Sequence, residues 1–68
     1  MKVLVNGDET SMDDGATVVD AVVSTGREPD AKGTAVAVNG EVVPKASWDS
    51  HPLREDDRVE VLAAIGGG

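Results

Sequence analysis

Few residues of this chain have the types and spacing that catalysis requires, and the densest group lies in one short stretch. Ser47, Asp49, Ser50 and His51 are the residue types of a hydrolytic triad. They are nearly adjacent in sequence, so their side chains diverge instead of converging on one substrate. A lone surface histidine beside Pro52 is the better interpretation.

Two acidic clusters, at residues 13–14 and 55–57, contain carboxylates, which are the ligands of many cation sites. Neither cluster has the alternating ligands and bidentate glutamate of a calcium loop, so acidic turns are the better interpretation. The glycines form no phosphate-binding loop, because no strand–GxxxxGK–helix pattern is present. Trp48, the single large aromatic residue, is expected to pack in the core. These patterns favour a protein that is not an enzyme.

The last five residues, Ala64 to Gly68, are a different kind of candidate. Glycine loses the most backbone freedom on folding, so a run of three is expected to fray. We predict a domain of residues 1–63 and a flexible tail of residues 64–68, which could reach ~17 Å at ~3.4 Å per residue. Such a tail could lie in a narrow channel and bring the Gly68 carboxylate to an active site in another protein. ATP would activate that carboxylate by converting it to an acyl adenylate.

Composition limits the classes of protein to consider. The 68 residues suit one domain, and the formal net charge of −7 argues against nucleic acid and anionic membranes as partners. The absence of cysteine excludes disulfide-dense secretion and fits a reducing cytoplasm. The opening MKVLVNG has too short an apolar stretch for a signal peptide. We expect a cytoplasmic protein that is monomeric when free.

Alternating residues and turn-forming pairs predict a first hairpin. Met1, Val3 and Val5 alternate with Lys2 and Leu4, which is typical of a strand. Asn6-Gly7 follows, and this pair suits a type I′ turn because both of its positions need a positive φ. Residues around Asp8 to Met12 then return as a polar edge strand.

A second hairpin and a last strand follow the same logic. Thr34–Asn39 alternates as a strand, Asn39-Gly40 forms the turn, and Glu41–Val43 returns. Residues 45–52 are expected to be irregular, with Leu53 as an isolated apolar plug for the open end of the core. Arg58–Leu62 alternates as the last strand.

The valine-rich segment between Thr17 and Ser24 is ambiguous, since four valines favour a strand by propensity. Its flanks favour a helix. Thr17 can cap the N-terminus and Asp20 occupies the acidic position of a capping box, while Gly26 is placed to end the helix. Val18, Ala21 and Val22 then form one apolar face. We therefore predict a short helix that covers one face of a mixed sheet, with the first and last strands in its centre.

The most specific motif of the chain is VNGEVVPK at residues 38–45, followed by Trp48. Through this motif and others along its length, the whole chain resembles the ThiS family of sulfur carriers, ubiquitin-like proteins of the β-grasp fold. One departure is Asp56, where the family usually has glycine, although aspartate tolerates a left-handed backbone. The three-glycine ending is a second. The other matching features are Val5-Asn6-Gly7, residues 14–18, residues 35–37, Ala46-Ser47, Leu53, Asp57, Val59 and the final Gly-Gly.

The resemblance implies an α+β fold with four to five strands, one helix and the sheet order 2-1-5-3, the first and last strands being parallel. It implies that a ThiF-type activating enzyme adenylates the Gly68 carboxylate with ATP and magnesium, so the carrier itself binds no cofactor. A cysteine desulfurase or another donor supplies sulfur, and the resulting thiocarboxylate donates it to thiazole synthase. Gly66 and Gly67 would lie in the channel of the partner.

The partner surface is expected on the last strand and the residues leading into the tail. Val59 and Val61 alternate inward, which leaves Glu60 and Leu62 on the opposite face. Leu62 and Ile65 are therefore predicted as interface anchors, with cover for the second sheet face as the alternative for Leu62.

Other functions share this fold and tail, and fold alone does not choose among them. They are the small subunit of molybdopterin synthase, a sulfur carrier for cysteine biosynthesis, and a ubiquitin-like modifier whose terminal glycine forms an isopeptide bond with lysine. A non-catalytic binding module is a further alternative. The VNGEVVPK–Trp block favours the thiamine carrier.

Overall fold

Two hairpins separated by a helix, and then a single strand, make up residues 1–63, which are the residues that this computed structural model describes. This order of elements confirms the predicted α+β class. In chain order the elements are β1 (Lys2–Val5), β2 (Asp8–Ser11), α1 (Val18–Ser24), β3 (Thr34–Val38), β4 (Glu41–Val43), a 3₁₀ helix (Lys45–Ser50) and β5 (Arg58–Ala63).

The five strands form one mixed sheet in the order β2-β1-β5-β3-β4. β1 and β5 are parallel, with Val5 opposite Val59, and the other neighbours are antiparallel. This is the expected order 2-1-5-3 with β4 added at the outer edge. The β-grasp prediction is confirmed, and β5 lies in the centre of the sheet.

Both Asn-Gly pairs form the predicted hairpin turns. Asn6 and Asn39 have a φ of 51°, and the glycines after them have a φ of 85°. A positive φ at both central positions defines the type I′ turn, whose twist matches that of the flanking strands. Asp56, in the turn before β5, has a φ of 67°. Its backbone therefore lies in the left-handed region, although the residue is not glycine.

The valine-rich segment is helical, as its flanks predicted. The backbone N–H of Thr17 donates to Oδ2 of Asp20 at 2.8 Å, which forms one half of a capping box. Gly26 has a φ of 87°, and its N–H donates to the carbonyl oxygen of Val23 at 2.9 Å. These bonds satisfy backbone groups that the helix ends would otherwise leave unpaired. Within residues 1–63, no helix is long and apolar enough to cross a membrane.

The core lies between α1 and one face of the sheet, called here the inner face. The helix buries its predicted stripe of Val18, Ala21 and Val22, and Leu53 plugs the core as expected. The backbone N–H of Leu53 also donates to the carbonyl oxygen of Ala16 at 2.9 Å, which fixes the loop to the start of the helix. The other buried core residues are Val3, Val5, Val36, Val38, Val43, Trp48, Val59 and Val61.

The prediction that residues 45–52 are irregular was wrong for Lys45–Ser50, which form a 3₁₀ helix. Pro44 precedes this helix with a φ of −60°, and its carbonyl oxygen accepts a bond from the N–H of Ser47 at 2.8 Å. Trp48 then packs into the core. A six-residue 3₁₀ helix buries a single side chain here, so it leaves no apolar periodicity in the sequence.

Candidate functional site

The predicted site residues fall on both sides of residue 63. Gly66, Gly67 and Gly68, together with Ile65, lie outside the described residues, as does the predicted flexible tail of residues 64–68. Leu62 lies inside them, on β5. The structure therefore describes the strand that leads into the tail and the surface around Leu62.

β5 presents its side chains to the two faces of the sheet in the predicted alternation. Val59 and Val61 are buried in the core, whereas Glu60 and Leu62 are exposed. Leu62 leaves 58% of its surface exposed, on the face opposite α1, called here the outer face. It lies directly opposite Ala35 of β3. Leu62 is thus available for contact with another molecule, while its role as an interface anchor stays a prediction.

Leu62 belongs to a larger apolar strip on the outer face, formed with Ala35, Ala37 and Val42. Ala37 is paired with Val42 of β4, and Val42 is 76% exposed, the highest value among the large hydrophobic residues described. When one face of a sheet is exposed to solvent, the residues on that face are usually polar. An apolar strip on the outer face therefore indicates an interaction surface. Sequence reasoning missed Val42 and the alanines. The signal lay in TAVAV and EVV, where apolar residues occupy both alternating positions.

Charged groups lie beside the apolar strip. Glu60 is exposed and lies opposite Ala37, so it places a carboxylate next to the strip. On the opposite side of the sheet centre, Nζ of Lys2 lies 3.5 Å from Oε1 of Glu9 and 3.8 Å from Oδ1 of Asp56. These exposed pairs contribute little to stability. An apolar strip with a carboxylate at its side fits a partner with an apolar patch and a basic group.

The base of the tail is held by the sheet up to the last described residue. On one side of β5 the pairing with β3 runs from Val38, opposite Val59, to Thr34, opposite Ala63. The tail therefore starts directly after a strand in the centre of the sheet. This placement confirms the prediction that the last strand lies in the centre of the sheet.

The four triad-type residues are not brought together by the fold. The 3₁₀ helix contains Ser47, Asp49 and Ser50, and His51 is its C-cap. Among residues 1–63, the one side-chain hydrogen bond within this group runs from Oγ of Ser50 to the carbonyl oxygen of Ser47 at 3.3 Å. Because this bond ends on a main-chain atom, it activates no nucleophile.

In the acidic cluster at residues 55–57, two carboxylates accept hydrogen bonds from main-chain N–H groups. Oδ2 of Asp57 accepts from the N–H of Arg54 at 2.8 Å, and Oε1 of Glu55 accepts from the N–H of Lys2 at 3.0 Å. Within the part of the chain that the structure describes, no three His, Cys, Asp or Glu residues are grouped so as to hold a metal ion. These carboxylates bind main-chain N–H groups and thereby fix the loop before β5.

Solved structures share this fold along the whole chain. A crystal structure of the thiamine biosynthesis protein ThiS from Geobacter metallireducens is 28% identical, has a TM-score of 0.77 and matches over the full length of both chains. An NMR solution structure of a thiamine biosynthesis protein from the same organism is also 28% identical, with a TM-score of 0.75. It covers this whole chain and 88% of that one.

Curated relatives are longer than this chain. A thiazole synthase of Paramagnetospirillum magneticum is 35% identical over 68 residues, and one of Magnetococcus marinus is 34% identical over the same length. In each case the match covers 100% of this chain and 20% of the relative, so the chain spans about a fifth of the length of these relatives. The sequence model of the ThiS family matches residues 3–68. The chain therefore belongs to the ThiS family.

Proposed function

We propose that this protein is a sulfur carrier of thiamine biosynthesis and that Gly68 carries the sulfur. The Gly68 carboxylate attacks the α-phosphate of ATP on a ThiF-type activating enzyme, and pyrophosphate leaves. Sulfide then attacks the acyl carbon and AMP leaves, so that a carbon–sulfur bond replaces a carbon–oxygen bond. If the nucleophile is a persulfide of the donor instead, a thiol must then reduce its S–S bond to release the thiocarboxylate. The resulting thiocarboxylate donates its sulfur to thiazole synthase. The carrier acts as a co-substrate of these enzymes rather than as an enzyme itself.

The observation that carries this proposal is the match to the ThiS family, which includes the three glycines at residues 66–68. Glycine suits the chemistry because a Cβ at residue 68 would crowd attack at the α-phosphate and later at the acyl carbon. Glycines at residues 66 and 67 let a backbone pass through a narrow channel. The chemistry requires a free carboxylate on Gly68, which an intact-mass measurement of the purified native protein checks.

Docking on the activating enzyme would use the apolar strip of the outer face together with Ile65. Leu62 supports this, because it is exposed and lies within a few residues of the glycines. Burying an exposed leucine against a partner removes apolar surface from water and gives ~1.5–3 kcal/mol when burial is complete. The acidic character of the chain, with a net charge of −7, favours a basic rim on the partner.

Thiazole synthase is the proposed acceptor of the sulfur. Two proteins named thiazole synthase contain a segment similar to this entire chain. A carrier-like segment within such a protein supports the idea that carrier and synthase act on each other. The immediate sulfur donor, a cysteine desulfurase or another source, acts one step earlier, when the thiocarboxylate forms on Gly68.

An intact-mass experiment tests the chemistry. The protein is incubated with a ThiF-type enzyme, ATP, magnesium and sulfide, and its mass is measured with and without ATP. We expect an ATP-dependent gain equal to the mass difference between sulfur and oxygen. An unchanged mass would contradict the proposal, provided that the same enzyme loads a known carrier in parallel. Adducts on protein lysines instead would identify a ubiquitin-like modifier.

Deletion of Gly68 provides the matched control for this experiment. The shortened chain still ends in glycine, at Gly67, but its carboxylate stops ~3.4 Å short of the reacting position. An error of about an ångström in placement can lower a rate ~100-fold, so loading should be lost while the fold is retained. Loading at the wild-type rate would show that Gly68 is not the sulfur-bearing residue.

A growth experiment assigns the pathway. A strain that lacks this protein should require thiamine, and the thiazole moiety alone should restore growth. A requirement for cysteine, or the loss of molybdopterin-dependent activity, would assign the carrier to one of the alternative pathways instead.

A further inference from the structure

The side chain of Asn6 is bound to the main chain of Val61, near the end of β5. Oδ1 of Asn6 accepts from the N–H of Val61 at 2.8 Å, and its Nδ2 donates to the carbonyl oxygen of the same residue at 3.2 Å. A carboxamide has one acceptor and one donor group that match the N–H and C=O of a single residue. Asn6 therefore pairs with Val61 as a neighbouring strand would.

This pairing fills a position that β1 leaves open. The N–H of Asn6 donates to the carbonyl oxygen of Val59 at 2.9 Å, and the chain then turns away through Gly7 towards β2. β5 continues to Ala63, where its other side is still paired with β3. Beyond Val59, the β1 side of β5 is thus held by a side chain.

We propose that Asn6 is a positioning residue for loading of the tail, an inference that rests on the proposed function. Holding β5 on both sides at Val61 fixes the direction in which the chain leaves the sheet, three residues before Ala64. Without the carboxamide, the end of β5 is held by β3 alone, and the Gly68 carboxylate then samples a wider range of positions at the activating enzyme. Asn6 is not part of the apolar strip, and Leu62 stays paired with Ala35 of β3, so the effect falls on the reaction of the bound carrier.

Asn39 provides a matched comparison within the same chain. It has the same φ of 51°, is followed by a glycine with the same φ of 85°, and also binds β5 with its side chain. Its Oδ1 accepts from the N–H of Arg58 at 3.0 Å, and its Nδ2 donates to Oδ1 of Asp57 at 3.0 Å. Asn39 therefore holds the start of β5, whereas Asn6 holds a position near the end.

The test compares Asn6→Gly with Asn39→Gly. Glycine retains the positive φ of a type I′ turn and removes the carboxamide, so each variant keeps its hairpin. Urea unfolding followed by Trp48 fluorescence reports the stability of both. In the free protein, hydrogen exchange of the Val61 amide should become about tenfold faster in Asn6→Gly than in Asn39→Gly, once the difference in global stability is subtracted.

The functional measurement is the rate of adenylation by the activating enzyme. It is monitored by ATP–pyrophosphate exchange at varied carrier concentration. Asn6→Gly should lower kcat by about tenfold or more, because misplacement of a reacting group lowers the rate of the bound complex. KM for the carrier should stay within about twofold of the wild-type value, because the apolar strip is intact. Asn39→Gly should change both parameters by less than about twofold at a similar loss of stability.

Any of the following results would overturn the inference. Equal kcat values for the two variants, or an unchanged rate of Val61 exchange in Asn6→Gly, would show that the Asn6 carboxamide has only a structural role. Failure of the wild-type chain to be adenylated would remove the proposed function, and this inference with it. If Asn6→Gly does not fold, Asn6→Asp replaces it, since aspartate tolerates the turn and loses the donor to Val61. It is then expected to lower kcat as well, and an unchanged kcat would overturn the inference.

Discussion

The indole Nε1 of Trp48 donates a hydrogen bond to the carbonyl oxygen of Val43, 2.9 Å away, inside the core. This bond connects the 3₁₀ helix to the end of β4, and it lets the one aromatic residue of the chain be 98% buried without an unpaired donor. Nζ of Lys45 lies 6.0 Å from the centre of the ring. Trp48 is therefore the one buried side chain of the 3₁₀ helix and fixes that helix to the end of β4.

Replacing Trp48 with phenylalanine should lower the free energy of unfolding by about 2 kcal/mol. The carbonyl oxygen of Val43 would lose its partner in a buried position, and the smaller ring would leave part of the site unfilled. Urea unfolding followed by circular dichroism measures this loss. The control is Asp49→Asn on the same 3₁₀ helix, where the side chain is exposed and the change should stay within about 0.5 kcal/mol. Equal stability of the two variants would contradict the prediction.

The helix start can be tested through Asp20. Asp20→Ala removes the acceptor of the Thr17 N–H and should destabilise the domain by about 1 kcal/mol. Asp20→Asn is the matched control, because it keeps an acceptor oxygen at nearly the same volume and loses only the charge near the helix N-terminus. Thermal unfolding should rank the proteins as wild type, then asparagine, then alanine. An alanine variant as stable as wild type would show that this bond contributes nothing.

The helix illustrates how far sequence reasoning reaches in this chain. Strand propensity alone would have assigned the valines of residues 18–23 to a strand. Thr17, Asp20 and Gly26 indicated a helix instead. They suit the ends of a helix, where backbone groups need hydrogen-bond partners, and they have no comparable role in a strand. The two Asn-Gly turns were equally informative, since few residues other than glycine and asparagine adopt their backbone angles.

Other features carried a weak local signal or none. The 3₁₀ helix leaves no periodicity, and the outward direction of Val42 depends on the register between β3 and β4. The bonds of Asn6 with Val61 join residues that are 55 positions apart, so no local pattern reveals them. In the candidate site, the outward direction of Leu62 followed from alternation, whereas its neighbours on the sheet required the three-dimensional pairing.

Replacing Leu62 with alanine separates binding from stability. Leu62 is largely exposed, so Leu62→Ala should leave the free energy of unfolding within about 0.5 kcal/mol of wild type. Binding to the activating enzyme, measured by calorimetry, should weaken by about tenfold if Leu62 is an interface anchor. The control is its buried neighbour: Val61→Ala should cost about 2 kcal/mol of stability. A loss of stability in Leu62→Ala that accounts for its weaker binding would assign Leu62 to the fold instead.

The central place of β5 also governs when the domain can fold during synthesis. Within the sheet, the hairpin of β1 and β2 and the hairpin of β3 and β4 meet only through β5. A nascent chain whose residues 58–63 are still inside the ribosome therefore has two separate hairpins, and isolated hairpins are marginally stable in water. Cooperative folding must wait until β5 has emerged, and pairings this distant in sequence form slowly. A translation product that stops before β5 thus cannot assemble the apolar strip, and an activating enzyme that recognises the strip would meet only chains that have been synthesised through β5.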